Sequence, residues 1–292
     1  MKKNDSIFSK LFDLFNIIFL GLLSLSMILP LISVIAKSFS SSEAISKGEV
    51  FFWPIEFTTM NYEYVFQDAS IWRAFFISIL ITVGGTFINL LATTSLAYPL
   101  SRPEYKGKKV ILFLVLFTMI FSAPLIPSYL VVKNLGMVDT LWALVIPSMI
   151  SAFNFFVMRS FFQNIPSTLI DAARIDGLGE LGILFRVVLP LSKPVLATIG
   201  LFYGVSHWNN YQSALYFIND PKLYPLQVKL RQMIVNDEMA VEANTVFSSM
   251  ALNSPEGIQM ATVVVAIIPI LLLYPFLQKY FVKGSLIGSI KE

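Results

Sequence analysis

The sequence predicts an all-α integral membrane protein with six transmembrane helices and both termini cytoplasmic, and three observations predict it. Hydrophobic residues make up 56% of the 292 positions and charged residues 13%, about half the charged fraction of an ordinary soluble domain. The apolar residues are gathered into six long blocks. The Lys and Arg residues alternate in density between successive connecting segments, the asymmetry that sets membrane orientation.

Block length decides which segments cross. A helix rises about 1.5 Å per residue, so roughly 20 apolar residues traverse a hydrocarbon core of about 30 Å. Residues 1–13 come first, as a cytoplasmic segment in which Ile7, Phe8, Leu11 and Phe12 share one helical face opposite Lys10. That is the pattern of a helix lying on the membrane surface. Leu14 to Ala36 follows, 23 residues without a charge. It is too long for a signal-peptide core and no small-residue cleavage site succeeds it, so it reads as a retained helix. Ala74 to Ser101 (28 residues), Val110 to Val132 (23) and Thr140 to Met158 (19) are the next three. Pro194 to Asn219 holds His207 but no Lys, Arg, Asp or Glu, and Gly257 to Gln278 closes the set. Irregular backbone is not tolerated against lipid, so each block is expected to be helical. The transmembrane domain then covers 14–278, with 279–292 as a cytoplasmic tail.

With the N-terminus inside, 14 of the 21 Lys and Arg fall on inner segments, among them Lys2, Lys3, Lys10, Arg102, Lys106, Lys108 and Lys109, while acids number 7 inside and 11 outside. The basic run from Arg102 to Lys109 is explained by topology between two spans, and not by nucleic acid. The sequence has no cysteine, which excludes thiol catalysis, disulfides and cysteine-ligated metal.

The inner loop 159–193 is the most structured connection. Pro166-Ser167 marks a helix start with Ser167 as N-cap and Asp171 in or near the first turn, where the helix dipole favours an acid. Leu169, Ala172 and Ala173 share a face, and Asp176-Gly177 ends the helix, glycine suiting the left-handed position after the cap. Leu181, Leu184, Phe185 and Val188 recur at i, i+3, i+4, i+7 in a second helix that Pro190 is expected to stop. Two short amphipathic helices joined at Gly177 to Gly179 make a bracket on the cytoplasmic face.

That bracket reads DAARIDGLGELGILFRVVLPLSKP from Asp171 to Pro194. It resembles the EAA loop of binding-protein-dependent ABC importers, matched at Ala172, Ala173, Asp176, Gly177, Leu189 and Pro190. Asp171 stands where the pattern has glutamate, and Leu178 where it has alanine. The likeness continues through LAYPLSR (Leu96 to Arg102), Pro124 to Pro147, Phe153 to Pro166, HWNNYQSALYFIND (His207 to Asp220), YPLQVKLRQ (Tyr224 to Gln232) and the ending KYFVKGSLIGSIKE. The chain is similar to the permease paired second in maltose-type systems, and more narrowly to the subgroup handling complex or uronate-containing oligosaccharides.

The resemblance implies a division of labour. A second homologous permease completes the pathway, two ABC ATPase subunits dock beneath, and an extracytoplasmic sugar-binding protein delivers an oligosaccharide. ATP and Mg sit on the ATPases, with no cofactor on this chain. It also implies that Asp171, Ala172, Ala173, Arg174, Asp176, Gly177 and Leu178 form the coupling helix seated in an ATPase. Candidate pathway residues are read from polar and aromatic groups within the spans: Asn89, Asn154, His207, Trp208, Asn209, Asn210 and Tyr211. Sugars stack on aromatic faces and hydrogen-bond to amides. Against this, Trp208 and Tyr211 also suit interfacial anchoring, Asn89 and Asn154 also suit helix–helix bonding, and six consecutive residues from His207 to Gln212 cannot all face one cavity. Gly200 and Gly204 read as a helix-packing pair.

Other classes fit less well. The sequence holds no P-loop, G-x-S-x-G, H-E-x-x-H or C-x-x-C motif, which argues against an enzyme, and a single histidine gives no metal-ligand set. A secondary transporter usually places acids within its spans, and these six blocks contain none. A peptide or amino-acid ABC permease stays open, because the EAA-type loop alone does not separate it from a sugar permease.

Overall fold

Among the described residues all regular structure is helical. The protein is represented by a computed structural model that describes the backbone of residues 7–242 and 255–289 and the side chains of residues 8–235 and 255–272. In chain order the helices are α1 (Ile7–Ser38), α2 (Ser42–Ser46), α3 (Met60–Gln67), α4 (Ala69–Ser101), α5 (Lys108–Ile120), α6 (Leu125–Asn134), α7 (Trp142–Val145), α8 (Ala152–Gln163), α9 (Ser167–Ile175), α10 (Glu180–Ile183), α11 (Leu189–Leu191), α12 (Lys193–Trp208), α13 (Gln212–Phe217), α14 (Leu226–Glu242) and α15 (Pro255–Ser289).

Among the described residues, three unbroken apolar helices have spanning length: Phe8–Ser38, Ala69–Ser101 and Pro255–Leu272. Two further stretches reach that length as bent pairs, Trp142–Ser148 with Ala152–Gln163 at 55° and Glu180–Leu191 with Lys193–Trp208 at 83°. The block from Val110 to Val132 is divided into α5 and α6 across residues 121–124. Proline explains each interruption. Pro124 has no N–H and biases Ala123 towards extended backbone; Pro147 lies at the first bend and Pro194 at the start of α12.

The bracket differs from expectation in two details. Ser167 is the first helical residue of α9 and makes no capping bond; the N-cap is Pro166, whose fixed φ suits that entry without a side-chain acceptor. Pro190 does not stop the second helix. Leu184–Val188 form a π-turn between α10 and α11, and the Leu189 N–H donates to the carbonyl five residues back, on Leu184. A widened turn of this kind accommodates a proline that a regular α-turn would exclude.

Two compact units divide the chain. In the first, Met1–Ala69 with Leu230–Ile268, α1 starts at Ile7 and continues through the segment expected on the membrane surface without a break. Its C-terminal end is fixed by polar contacts. Lys37 Nζ pairs with Glu256 at 2.6 Å, Asn61 Nδ2 donates to the carbonyls of Ser38 and Ser40 at 3.1 Å, and the Ser38 and Tyr62 hydroxyls meet at 2.8 Å. A small core of Ala36, Ala44, Ile45 and Val50 seats α2 there.

The second unit, Ser70–Lys229 with Pro269–Glu292, contains the larger core. Ala97, Tyr98 and Leu100 of α4 pack with Phe155, Met158 and Phe162 of α8, Ile170 and Ala173 of α9, Ile183, Leu184 and Val188, and Ile199 and Tyr203 of α12. The bracket is therefore embedded among the ends of three membrane helices. α4 and α12 approach closely because glycine lines the contact. Gly200 faces Leu90 and Thr86, and Gly204 faces Thr86 and Thr82, the small-residue packing that lets membrane helices meet.

Candidate functional site

The bracket is built by a helix stop. After Ile175 the chain closes a Schellman turn, with the Leu178 N–H donating to the Ala173 carbonyl and the Gly177 N–H to the Arg174 carbonyl, each at 3.0 Å. Gly177 takes φ +83°, with no atom within 4 Å of an added Cβ. Only backbone conformation requires glycine there.

Packing sorts the bracket into two faces. Ile170, Ala173, Ile183, Leu184 and Val188 are buried in the chain's own core. Turned outward are Asp171, Ala172, Asp176 and Gly177 together with Leu169, Ile175, Leu181 and Phe185, Ile175 being 86% exposed and Leu181 72%. Leu169 and Ala172 thus part from Ala173, and the second-helix stripe divides, Leu184 and Val188 inward, Leu181 and Phe185 outward. Leu178 is half-buried beside Gly182, and Gly179 starts α10. Ile175 was not singled out by the sequence; its place one residue before the helix stop, off the buried Ile170/Ala173 face, is the signal.

Arg174 ties the bracket together. Its guanidinium reaches Glu180 at 2.8 Å, Glu104 at 3.2 Å and Asp171 at 3.7 Å, which holds the arginine above its usual range, Glu180 contributing most. Glu104 is held below the usual carboxylate range, first by its own backbone N–H and, less, by Arg174. The other Glu180 oxygen accepts from the Tyr98 hydroxyl at 2.8 Å, and Arg159 Nε donates to the Leu100 carbonyl at 2.9 Å. Such exposed pairs add little stability, because solvent screens the charges. Their effect is positional: a bracket bonded to the end of α4 and packed on α8 and α12 moves with those helices.

Of the expected pathway residues, Asn89 and His207 are brought together. Both are buried, with Asn89 Nδ2 at 3.1 Å from His207 Nε2. Trp208 is also buried, edge-on to Phe75 at 6.0 Å. The run from His207 to Gln212 does not continue one helix. α12 ends at Trp208, the Asn209 amide folds back to the Val205 carbonyl, and Asn210 Oδ1 accepts the Ser213 N–H at the start of α13. Tyr211 is exposed. Asn154 lies apart, buried in the first turn of α8.

Tyr203 was missed, although it lies one turn before His207 on the same face of α12. Its hydroxyl meets Thr93 Oγ1 at 2.7 Å and accepts the Ser151 N–H at 2.9 Å. It thereby pins the break at the start of α8 to α4 and α12.

Comparison with known proteins decides what this arrangement belongs to. Residues 90–285 match the family described as "Binding-protein-dependent transport system inner membrane component". The chain belongs to this family. It is a multi-pass bacterial membrane permease. Protein LplC of Bacillus subtilis (strain 168) is 45% identical, over 97% of this chain and 95% of that one. The polygalacturonan/rhamnogalacturonan transport system permease protein YtcP of the same organism is 44% identical, over 97% and 99%. Among solved structures, a bacterial ABC transporter involved in the import of the acidic polysaccharide alginate superposes with a TM-score of 0.88 at 34% identity, covering 96% of this chain and 100% of that one.

Proposed function

We propose that this permease forms, with a second homologous permease, the membrane pathway of an ABC importer for oligosaccharides, and that two partner ATPases drive it through the bracket. An extracytoplasmic binding protein delivers the sugar. The ATP and Mg belong to the ATPase subunits, the chain itself holding neither a cofactor nor a catalytic site. The observation that carries the reading is the outward face of the bracket, Ile175, Leu181 and Phe185 beside Asp171 and Gly177, on elements fixed in the core of the permease. Burying such side chains against a partner contributes about 1.5–3 kcal/mol each for a large aliphatic or aromatic group, enough to seat a lever. The names of the relatives, one for polygalacturonan/rhamnogalacturonan and one importing alginate, support a sugar cargo over a peptide.

The proposed topology has six spans, with α5 and α6 as the broken third, and both termini cytoplasmic. Two sets of contacts support it. Glu104 in the basic loop after α4 bonds to Arg174 of the bracket, as two inner loops should. Asp139, after α6, accepts the N–H groups of Asn219 and Asp220, as two outer loops should. In this reading ATP-driven closure of the ATPases draws the brackets together and rocks the helices between inward- and outward-open states.

The absence of cysteine gives a clean test. Ile175→Cys, labelled with a benzophenone maleimide in membranes containing the whole importer, should photo-crosslink the ATPase subunit, and the yield should change with ATP. Crosslinking of Leu22→Cys on α1 to the ATPase at equal yield, or none from position 175, would overturn the docking.

A further inference from the structure

The connection between α1 and α3 turns its largest apolar side chains outward. From Val50 to Ile55 it reads VFFWPI, six residues without a charge between Glu49 and Glu56. Val50 joins the small core of Ala36, Ala44 and Ile45, and Ile55 packs against it. Among the described residues Phe51 is 67% exposed and Trp53 81%, and Phe52 and Phe57 are exposed as well. A loop that folds for its own stability buries its large apolar groups, since each contributes about 1.5–3 kcal/mol. This one buries the smaller ones and presents the aromatic rings.

The exposure is not slackness. The Ser41 N–H donates to the Ile55 carbonyl at 3.3 Å, the Ile55 N–H to Ser40 Oγ at 3.1 Å, and the Thr58 N–H to the Phe39 carbonyl at 2.9 Å. Ser41 Oγ also donates to the Glu56 carboxylate, and Glu56 is held at φ +51°, a conformation that a residue other than glycine takes at a cost. Phe57 stacks on Phe39 with ring centroids 5.4 Å apart. The loop is thus closed onto the Ser38 end of α1. Trp53 lies two residues from Ile55, so their Cα atoms are within about 8 Å of each other.

α1 supplies the second observation. It is a helix of spanning length with apolar side chains exposed as far as Ile35, and polar residues follow from Lys37 to Ser42, broken by Phe39. The rings of the loop continue this membrane-facing surface where it ends.

We infer that Phe51, Phe52 and Trp53 form a membrane anchor, their rings seated in the interfacial layer of the phospholipid bilayer around the end of α1. Aromatic rings favour that layer because an apolar body meets the acyl chains while a polar edge stays wet. The Trp53 indole N–H, without an acceptor among the described residues, donates there to a lipid ester or phosphate oxygen. A bilayer surrounds α1 permanently, whereas a docking surface for a soluble protein would leave VFFWPI in water whenever that protein was away. The exposed Glu43–Lys47 pair on α2 and Glu49 limit insertion to the aromatic tip. The inference does not depend on what the importer carries.

The test uses the cysteine-free chain within the complete importer, in nanodiscs of equal phosphatidylcholine and phosphatidylglycerol. A nitroxide on Trp53→Cys, with the signal of equally treated wild type subtracted, reports collisions with oxygen, which concentrates in lipid, and with a polar nickel chelate, which stays in water. The oxygen-to-nickel ratio should be at least about threefold higher than for a nitroxide on Ser46→Cys in α2. An equal ratio would place the ring in water and overturn the anchor. Few collisions with either reagent would place position 53 under protein and overturn it too. A second measurement needs no label: in nanodiscs of dibrominated phosphatidylcholine, which quenches nearby indoles, Trp53→Phe should remove part of the quenchable tryptophan emission. Unchanged quenching would overturn the anchor even if Trp53→Cys failed to assemble.

Discussion

His207 Nε2 lies where Gly85 has no side chain: a Cβ built on Gly85 would stand 2.7 Å from it. The imidazole fits between α4 and α12 because that position is glycine, and Asn89, one turn further along α4, meets the same nitrogen at 3.1 Å. Gly85→Ala should therefore destabilise the assembled permease by about 1–3 kcal/mol through overpacking. Placed on a His207→Ala background the same change should cost at least about 0.5 kcal/mol less, because the clash has gone. Thermal unfolding of the four purified forms measures this, and strict additivity would mean the two residues do not compete for space.

Gly177 requires glycine for backbone reasons alone, since nothing lies within 4 Å of its missing Cβ and φ is +83°. Gly177→Val should strain the Schellman turn by about 1–2 kcal/mol and uncouple ATP hydrolysis from uptake at normal membrane levels. Gly177→Asn, which tolerates this conformation better, should retain most uptake. Equal activity of the Val and Asn variants would show that the turn does not transmit motion.

Tyr203 holds three elements by one hydroxyl. Tyr203→Phe leaves the Ser151 N–H and Thr93 short of a buried partner and should cost about 1–3 kcal/mol. Tyr211→Phe, at an exposed ring, should cost within about 0.5 kcal/mol. Equal shifts in thermal midpoint would contradict the pinning role.

Asp139 accepts the N–H of Asn219, the Asn219 side-chain amide and the N–H of Asp220. These bonds, the Asn219 N–H foremost, hold its carboxyl below the ordinary value of 3.8. A carboxyl with a folded pKa below its unfolded one contributes stability that is complete above the unfolded value and lost as pH falls through the folded one. Between pH 5 and pH 3, the thermal midpoint of wild type should therefore fall more than that of Asp139→Asn. Parallel curves would assign the acid sensitivity elsewhere.

The helical class and the bracket were legible in the sequence because they rest on long-range composition and on one turn chemistry. Apolar blocks of about 20 residues have few alternatives, and Asp176-Gly177 is a helix stop whose φ glycine alone takes readily. Less legible was whatever depended on which partner wins a contact. Pro190 reads as a terminator until a π-turn absorbs it, and Ser167 reads as a cap although Pro166 occupies that place. Ala172 and Ala173 look alike in sequence, yet one faces outward and the other the core. The same holds for the polar run after α12: Asn209 and Asn210 are spent on backbone bonds that end one helix and start the next, which composition does not reveal. Tyr203 escaped notice because a tyrosine in an apolar block looks like packing until Ser151 and Thr93 are seen at its hydroxyl.

The most direct test of the central claim is uptake of labelled trigalacturonate by proteoliposomes containing this chain, its partner permease and ATPase, and the binding protein. The account predicts uptake that requires ATP inside, collapses when the ATPase is omitted, and is lost in Gly177→Val although hydrolysis continues. Uptake by this chain alone, driven by an ion gradient without ATP, would contradict it.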